Sequence, residues 1–220
     1  INKDIISSEK ARIKIYIDQD SITHPSVQFK YVNKNGKVTM IRGGSGISDS
    51  PFHNTYHRLD MFTEAIYWKL GDPIIDFAPL FGSTDISAHF DSFDFFDANI
   101  YDRLTGMGAN PLVQIQYFTN QYGDITFPTS DLASFMRSTK ADLEFMLFDL
   151  TTNGFIDYDI DRQLVTVKEK LNNYIDSRKG DRDFDVIVVN SNDKKNAQIN
   201  LLSNDLTING VKKVSLSNSQ

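Results

Sequence analysis

The chain has 220 residues, with 23 basic against 29 acidic side chains and a net charge of −6, so nothing in its bulk charge draws it toward a phosphate backbone or an anionic membrane. That length holds one large domain or two small ones around a real core, and the absence of cysteine excludes disulfides, thiolate metal sites and cysteine nucleophiles. No run approaches the ~18 apolar residues of a membrane span, which predicts no membrane insertion.

The first residues, INKDIISSEK, carry neither a Met nor a basic-then-apolar leader, and the last, VSLSNSQ, stop in strand-like sequence; both predict a piece of something longer. From Arg12 to Phe96 the pattern is alternation. Ile13, Ile15 and Ile17 alternate with Lys14 and Tyr16, and Val27, Phe29 and Tyr31 repeat the period of two. Asn33 to Gly36 is turn chemistry and Val38 to Ile41 the returning partner, a hairpin. Gly43 to Pro51 reads as a flexible stretch. Strands are then predicted at Leu59–Leu70, Ile74–Leu80 and Asp85–Phe93, with a short helical connector over Asp97–Thr105. Their spacing fits a meander, a sandwich or solenoid rungs.

The period changes at Asn110-Pro111, an N-cap followed by proline at the first helical position. A helix is predicted over Pro111–Tyr122, a short extended piece at Asp124–Pro128, a second helix over Ser130–Arg137 and a third over Lys140–Asn153. Thr139 with Asp142 is a capping-box arrangement for the third. Phe155–Asp159 and Leu164–Val167 follow as a hairpin joined at Ile160–Gln163. After Gly180 the strand pattern resumes at Phe184–Val189, Ile199–Leu202, Leu206–Ile208 and Val211–Leu216, each bounded by Asn, Asp or Gly turns. The fold class is therefore α+β: a β-rich layer over 1–100, a helical domain over 101–179, and a β-rich region over 180–220 that continues the first.

Helix, strand, helix, tight turn, helix, hairpin is the winged-helix order, and the run SDLASFMRSTKADLEFMLFDLTTNGFIDYD resembles the winged-helix superfamily over about a third of the chain. That resemblance implies fold more than activity. In many relatives the third helix enters the DNA major groove. Here the stripe Leu143, Met146, Leu147 and Leu150 is read as buried, which leaves Phe145 and Phe148 outward among Asp142, Glu144 and Asp149. Residues 102–179 hold eight basic and eleven acidic side chains, net −3, and such a face repels DNA. Phe145, Phe148, Glu144 and Asp149 are the candidate interaction surface, with both rings expected to be covered by the β layer or a neighbouring molecule.

More broadly, the runs HRLDMFTEAIYWKLGDPIIDF, FDSFDFFDANIYDRL and NLLSNDLTINGVKKVSLSNSQ resemble internal parts of very long, exported β-rich proteins of the Bacteroidota. The resemblance implies an envelope-associated fragment, periplasmic or at the outer membrane, and implies no reaction, while the absence of cysteine fits a cytoplasmic chain equally. The expected role is a non-enzymatic structural or protein-interaction segment whose partner is a protein or the rest of its own parent chain, without nucleic acid, cofactor or metal. The alternatives are a DNA-binding winged-helix regulator and a carbohydrate-active or hydrolytic fragment.

Several motifs have a reactive and a structural reading. Asp149 to Asp157 has the early oxygen ligands of an EF-hand loop, but Ile160 stands where the closing Glu belongs and a strand follows. Asp91, Asp94 and Asp97 are spaced by three, which splits them across a strand. His53 and His57 have zinc-helix spacing, yet Asn54 replaces the catalytic Glu. Gly43-Gly44-Ser45-Gly46 lacks the Lys of a phosphate loop, and His24 and His89 lack a recognisable nucleophile partner. Tyr67 and Trp68, with Phe90, Phe93, Phe95 and Phe96, have the chemistry to stack sugars or bases, although such rings usually fill a β core.

Overall fold

The computed structural model describes residues 4–215 apart from Met107 and 185–187. The chain separates into two compact units, one of 1–92 with 187–215 and one of 93–186 with 216–220.

The first unit opens with the long antiparallel hairpin of β1 (Ile5–Ile17) and β2 (Asp20–Val32), followed by β3 (Lys37–Arg42), β4 (Phe52–Asn54) and β5 (Leu59–Phe62). β6 (Ala65–Lys69), β7 (Ile74–Ala78) and β8 (Ser87–Ser92) complete this stretch. Period two decides the faces: Ile15 and Ile17 are buried while Tyr16 between them is exposed. The single strand expected at Leu59–Leu70 is two. The chain breaks at Thr63-Glu64, where Arg42 donates its backbone N–H to Glu64 O at 2.8 Å and its Nε–H to Thr63 O at 3.1 Å. That break moves the chain from β5, beside β4 and β8, to β6, beside β3. The three-residue β4 has no counterpart in the sequence reading, because its fully buried Phe52, His53 and Asn54 show no alternation of polarity.

The second unit contains α1 (Ala98–Thr105), α2 (Pro111–Tyr122), β9 (Thr126–Pro128), α3 (Thr129–Met136) and α4 (Lys140–Thr152). β10 (Ile156–Asp159), β11 (Leu164–Val167) and α5 (Glu169–Lys179) follow. Asn110 caps α2 by accepting from Leu112 N at 2.9 Å, and Gly123 ends it at φ 80°, a left-handed value glycine takes without strain. Thr139 caps α4, but the capping box is altered: the Asp142 carboxylate accepts the Thr139 hydroxyl at 2.6 Å. β11 lies between β10 and β9 in a three-stranded antiparallel sheet. Leu112, Ile115, Phe118, Leu132, Leu147, Leu150, Phe155 and Val165 pack in one core. α5 leaves no periodic signal in the sequence. Its segment is polar, and only Leu171, Tyr174 and Ile175 give it an apolar edge in that core.

The chain then returns to the first unit as β12 (Val188–Asn192), β13 (Ala197–Asn200), β14 (Asp205–Ile208) and β15 (Val211–Ser215). Of the expected strand Phe184–Val189, residues 185–187 lie outside the described part, and the described strand begins at Val188. β12 pairs with β8 and β13 with β7, so the strands before and after the helical unit share one sheet. Running from β7 through β6, β3, β2, β4 and β5 to β8, that sheet is bridged end to end by the β12–β13 segment and nearly closes. β2 serves the opposite corner, with Thr23 paired to β4 and Val27 to β3 around Pro25. Pairing among the described strands is antiparallel, which solenoid rungs are not. The core fills the interior: Phe52 of β4 meets Phe77 of β7 edge-on at 6.5 Å, although the strands lie well apart in the sheet order.

Candidate interaction surfaces

α4 carries the four residues singled out in the sequence, and they separate. Phe145 is 66% exposed, on the lip of a groove of about 550 Å³ lined by Pro111, Gln114, Met136, Asp142 and Met146. The Asn110-Pro111 cap positions one wall and the left-handed turn at Arg137, φ 52°, the other. Phe148 does not share that face. Its ring is half-buried in the helical core, 5.9 Å from Tyr158 of β10, because packing of β10 along α4 widens the buried arc beyond the leucine stripe. Of the two rings expected to be covered, Phe148 is covered within this unit and Phe145 is open there. Asp149 is also engaged, with Oδ2 2.8 Å from Arg103 Nη1 and Oδ1 accepting from Asn153 Nδ2 at 3.1 Å. Glu144 stays half-exposed, 3.9 Å from Lys140 Nζ.

The open face extends beyond what α4 alone shows. Tyr117, Tyr122 and Ile125 are 63%, 58% and 62% exposed, and a second groove of about 520 Å³ runs between α2, β9 and α3 past Phe118, Phe127 and Phe135. Tyr117 lies 6.0 Å from Phe135. The signal for this surface was in α2, where Val113 and Tyr117 add apolar residues beyond the stripe of Leu112, Ile115 and Phe118 that the core uses.

The reactive readings find structural occupations. Asp97 caps α1 by accepting from Asn99 N at 2.8 Å, and Asp94 accepts from Asn173 Nδ2 and Arg182 Nη2, both at 2.8 Å. On adjacent strands of the first unit, Asp91 stands opposite Asp60, and buried Asp60 meets His53 Nδ1 at 2.7 Å. His57 instead receives Asn54 Nδ2 at Nδ1, 2.9 Å away, so its Nε2–H donates to Asn204 O at 2.8 Å. Burial holds the His57 pKa below its ordinary value. His24 is assigned by the same logic: Nδ1 accepts from Ser26 N and Nε2 donates to Ser50 O at 2.7 Å. His89 stacks on Phe62 at 4.1 Å. No group of three or more His, Asp or Glu side chains poised for a metal occurs among the described residues. The stretch at Gly43 is a closed turn, with its N–H donating to Ser48 O at 2.9 Å.

Most of the phenylalanine-rich stretch is core, as Phe90 at 0% and Phe93 at 3% exposure show. Tyr67 and Trp68 differ. Both line hollows on the first unit, and burial, reinforced by the charge of Glu64, raises the Tyr67 pKa.

No protein-family model, no curated protein and no solved structure matches the chain.

Proposed function

We propose that the unit of residues 93–186 is a winged-helix module that docks a protein partner, and that the chain is a non-enzymatic interaction segment of a larger exported, envelope-associated protein. The observation that carries the docking is Phe145, a ring two-thirds exposed over a groove walled by Met136, Met146 and Pro111. Burying such a ring on a partner would contribute on the order of 2 kcal/mol. An aromatic anchor beside flexible methionine side chains is the usual make-up of a protein contact. The winged-helix assignment is supported by the order α2, β9, α3, α4, β10, β11 and by the pairing of β9 and β10 on either side of β11.

The DNA-regulator alternative is disfavoured by charge. α4 offers Lys140 as its sole cation, and the turn between β10 and β11 sets Arg162 beside Asp159 and Asp161. A duplex needs several phosphate-neutralising contacts from such a face. The protein-docking reading favours an apolar segment with basic flanks, which complements Asp142 and Glu144.

A photo-crosslinking side chain placed at 145, in cells making the parent protein, tests this. A protein adduct is expected from position 145, none from a probe at exposed Leu202, and loss of the adduct when Met136→Asp is added. Salt-sensitive binding of duplex DNA by the purified chain, or equal adducts from both positions, would reject the reading. Fractionation of the same cells locates the parent protein.

A further inference from the structure

The outward face of β6 in the first unit carries a groove independent of the α4 surface. Tyr67 points away from the core that holds Ile66, and Lys37 Nζ sits 5.3 Å from the centre of its ring. Two hollows meet at this pair. One, of about 500 Å³, extends past Trp68 and Lys69 to Asp72, and the other, of about 600 Å³, past Leu80 and Phe81 to Lys194.

The wall formed by the β7–β8 loop is pinned. Glu64 Oε2 accepts from Leu80 N at 2.6 Å, the Ser83 hydroxyl lies 3.3 Å from Glu64 Oε1, and Ser83 N donates to Leu80 O at 3.0 Å. On this braced loop Phe81 is fully solvated, at 105% of its reference exposure. A loop held in one shape that presents a bare phenyl ring beside a hollow is organised for a ligand rather than for the unit's own packing.

Charge narrows the ligand. Lys69 pairs with Asp72 at 3.4 Å and Lys195 with Asp76 at 2.9 Å, whereas Lys37 and Lys194 have no carboxylate partner among the described residues. Two ammonium groups without a carboxylate partner among the described residues, one of them resting over the Tyr67 ring, fit a ligand with spaced negative charges. The carboxylates of Asp72 and Asp76, each paired with a lysine, accept hydrogen bonds from hydroxyls, which a sugar chain carries between its charges. Exposed aromatic rings stack on the apolar C–H faces of sugars. A concave, elongated site is also the wrong shape for a flat membrane surface.

We propose that this groove binds an acidic oligosaccharide, a chain of uronic-acid sugars, with Phe81 and Tyr67 as stacking platforms and Lys37 and Lys194 holding carboxylates. The proposal does not depend on the winged-helix reading.

The test titrates the full chain by calorimetry and NMR with a short oligogalacturonate, with a neutral cello-oligosaccharide of equal length, with a single-stranded oligonucleotide and with anionic lipid vesicles. Saturable binding of the oligogalacturonate is expected, with shifts confined to residues around Tyr67. Phe81→Ser should weaken it about tenfold, the loss of one stacked contact, and Lys37→Gln with Lys194→Gln by more, the loss of two charged ones. All three substituted residues lie at the surface, so circular dichroism should be unchanged and the fold intact. Failure to bind at millimolar ligand, affinity unaltered by the substitutions, equal affinity for the neutral sugar, or preference for the oligonucleotide or vesicles would each overturn the proposal.

Discussion

His57 donates its Nε2–H to the backbone carbonyl of Asn204 at 2.8 Å, a bond that joins positions 147 residues apart. Asn204 in turn donates from Nδ2 to Asp18 Oδ2 at 2.7 Å, so the β1–β2, β4–β5 and β13–β14 turns meet at one end of the sheet. Each turn has a non-glycine residue at positive φ: Asp18 at 53°, Arg58 at 55° and Asn204 at 58°. The local strain of those conformations is offset by the tertiary bonds that hold the turns together.

Protonating His57 would put a second N–H against Asn54 Nδ2, which already donates to the ring. Its folded pKa is held down, chiefly by desolvation, so the unfolded chain takes the proton more readily. The stability it contributes is complete above the unfolded value of about 6.5 and is lost as pH falls through the folded pKa. Urea midpoints should therefore decline below that pH, and His57→Gln should flatten the decline. A variant with the wild-type pH profile would contradict this.

Phe145 and Phe148 should respond oppositely to truncation. Phe148→Ala removes half-buried contacts with Tyr158 and the helical core and should cost about 2 kcal/mol. Phe145→Ser should change stability by less than about 0.5 kcal/mol. Denaturation curves of the two variants decide, and equal losses would show that Phe145 is covered in solution.

Gly210 holds φ +64° where the β12–β13 and β14–β15 arms bend together, with its O accepting from Asn192 N at 3.3 Å. A Cβ there would lie 3.0 Å from Asn192 C and O and 2.8 Å from Asp193 Cβ. Gly210→Ala should cost about 2 kcal/mol through backbone strain and crowding. Gly44→Ala, where a Cβ meets nothing within 4 Å, serves as the neutral control in thermal unfolding.

Tyr174 ties α5 to the start of α1: its hydroxyl donates to Asp97 O at 2.7 Å and accepts from Asp97 N at 2.8 Å. Tyr174→Phe keeps the ring against Phe96 and Phe155 but strands the Asp97 N–H, while Asp97 O keeps its bond from Tyr101 N, and should cost about 1–3 kcal/mol. Hydrogen exchange at the Asp97 amide should accelerate, and unchanged exchange would exclude the bond.

The sequence by itself determined the elements whose signal is local. Alternation marked β1 and β2, because a strand with one buried face writes its period into adjacent residues. Asn110-Pro111 and Thr139 marked the starts of α2 and α4, because a cap answers its own helix's N–H groups. Only the tertiary structure decided what depends on distant neighbours. β4 and α5 were invisible because β4 is buried on both faces and α5 is polar along most of its length, so neither shows a clean period. The near-closure of the sheet depends on β12 and β13 finding β8 and β7, which no window of sequence encodes. The same holds for the surfaces. A helical wheel gave Phe145 and Phe148 one face, and the packing of β10 beside α4 separated them, since burial is set by what lies against a residue and not by its own helix.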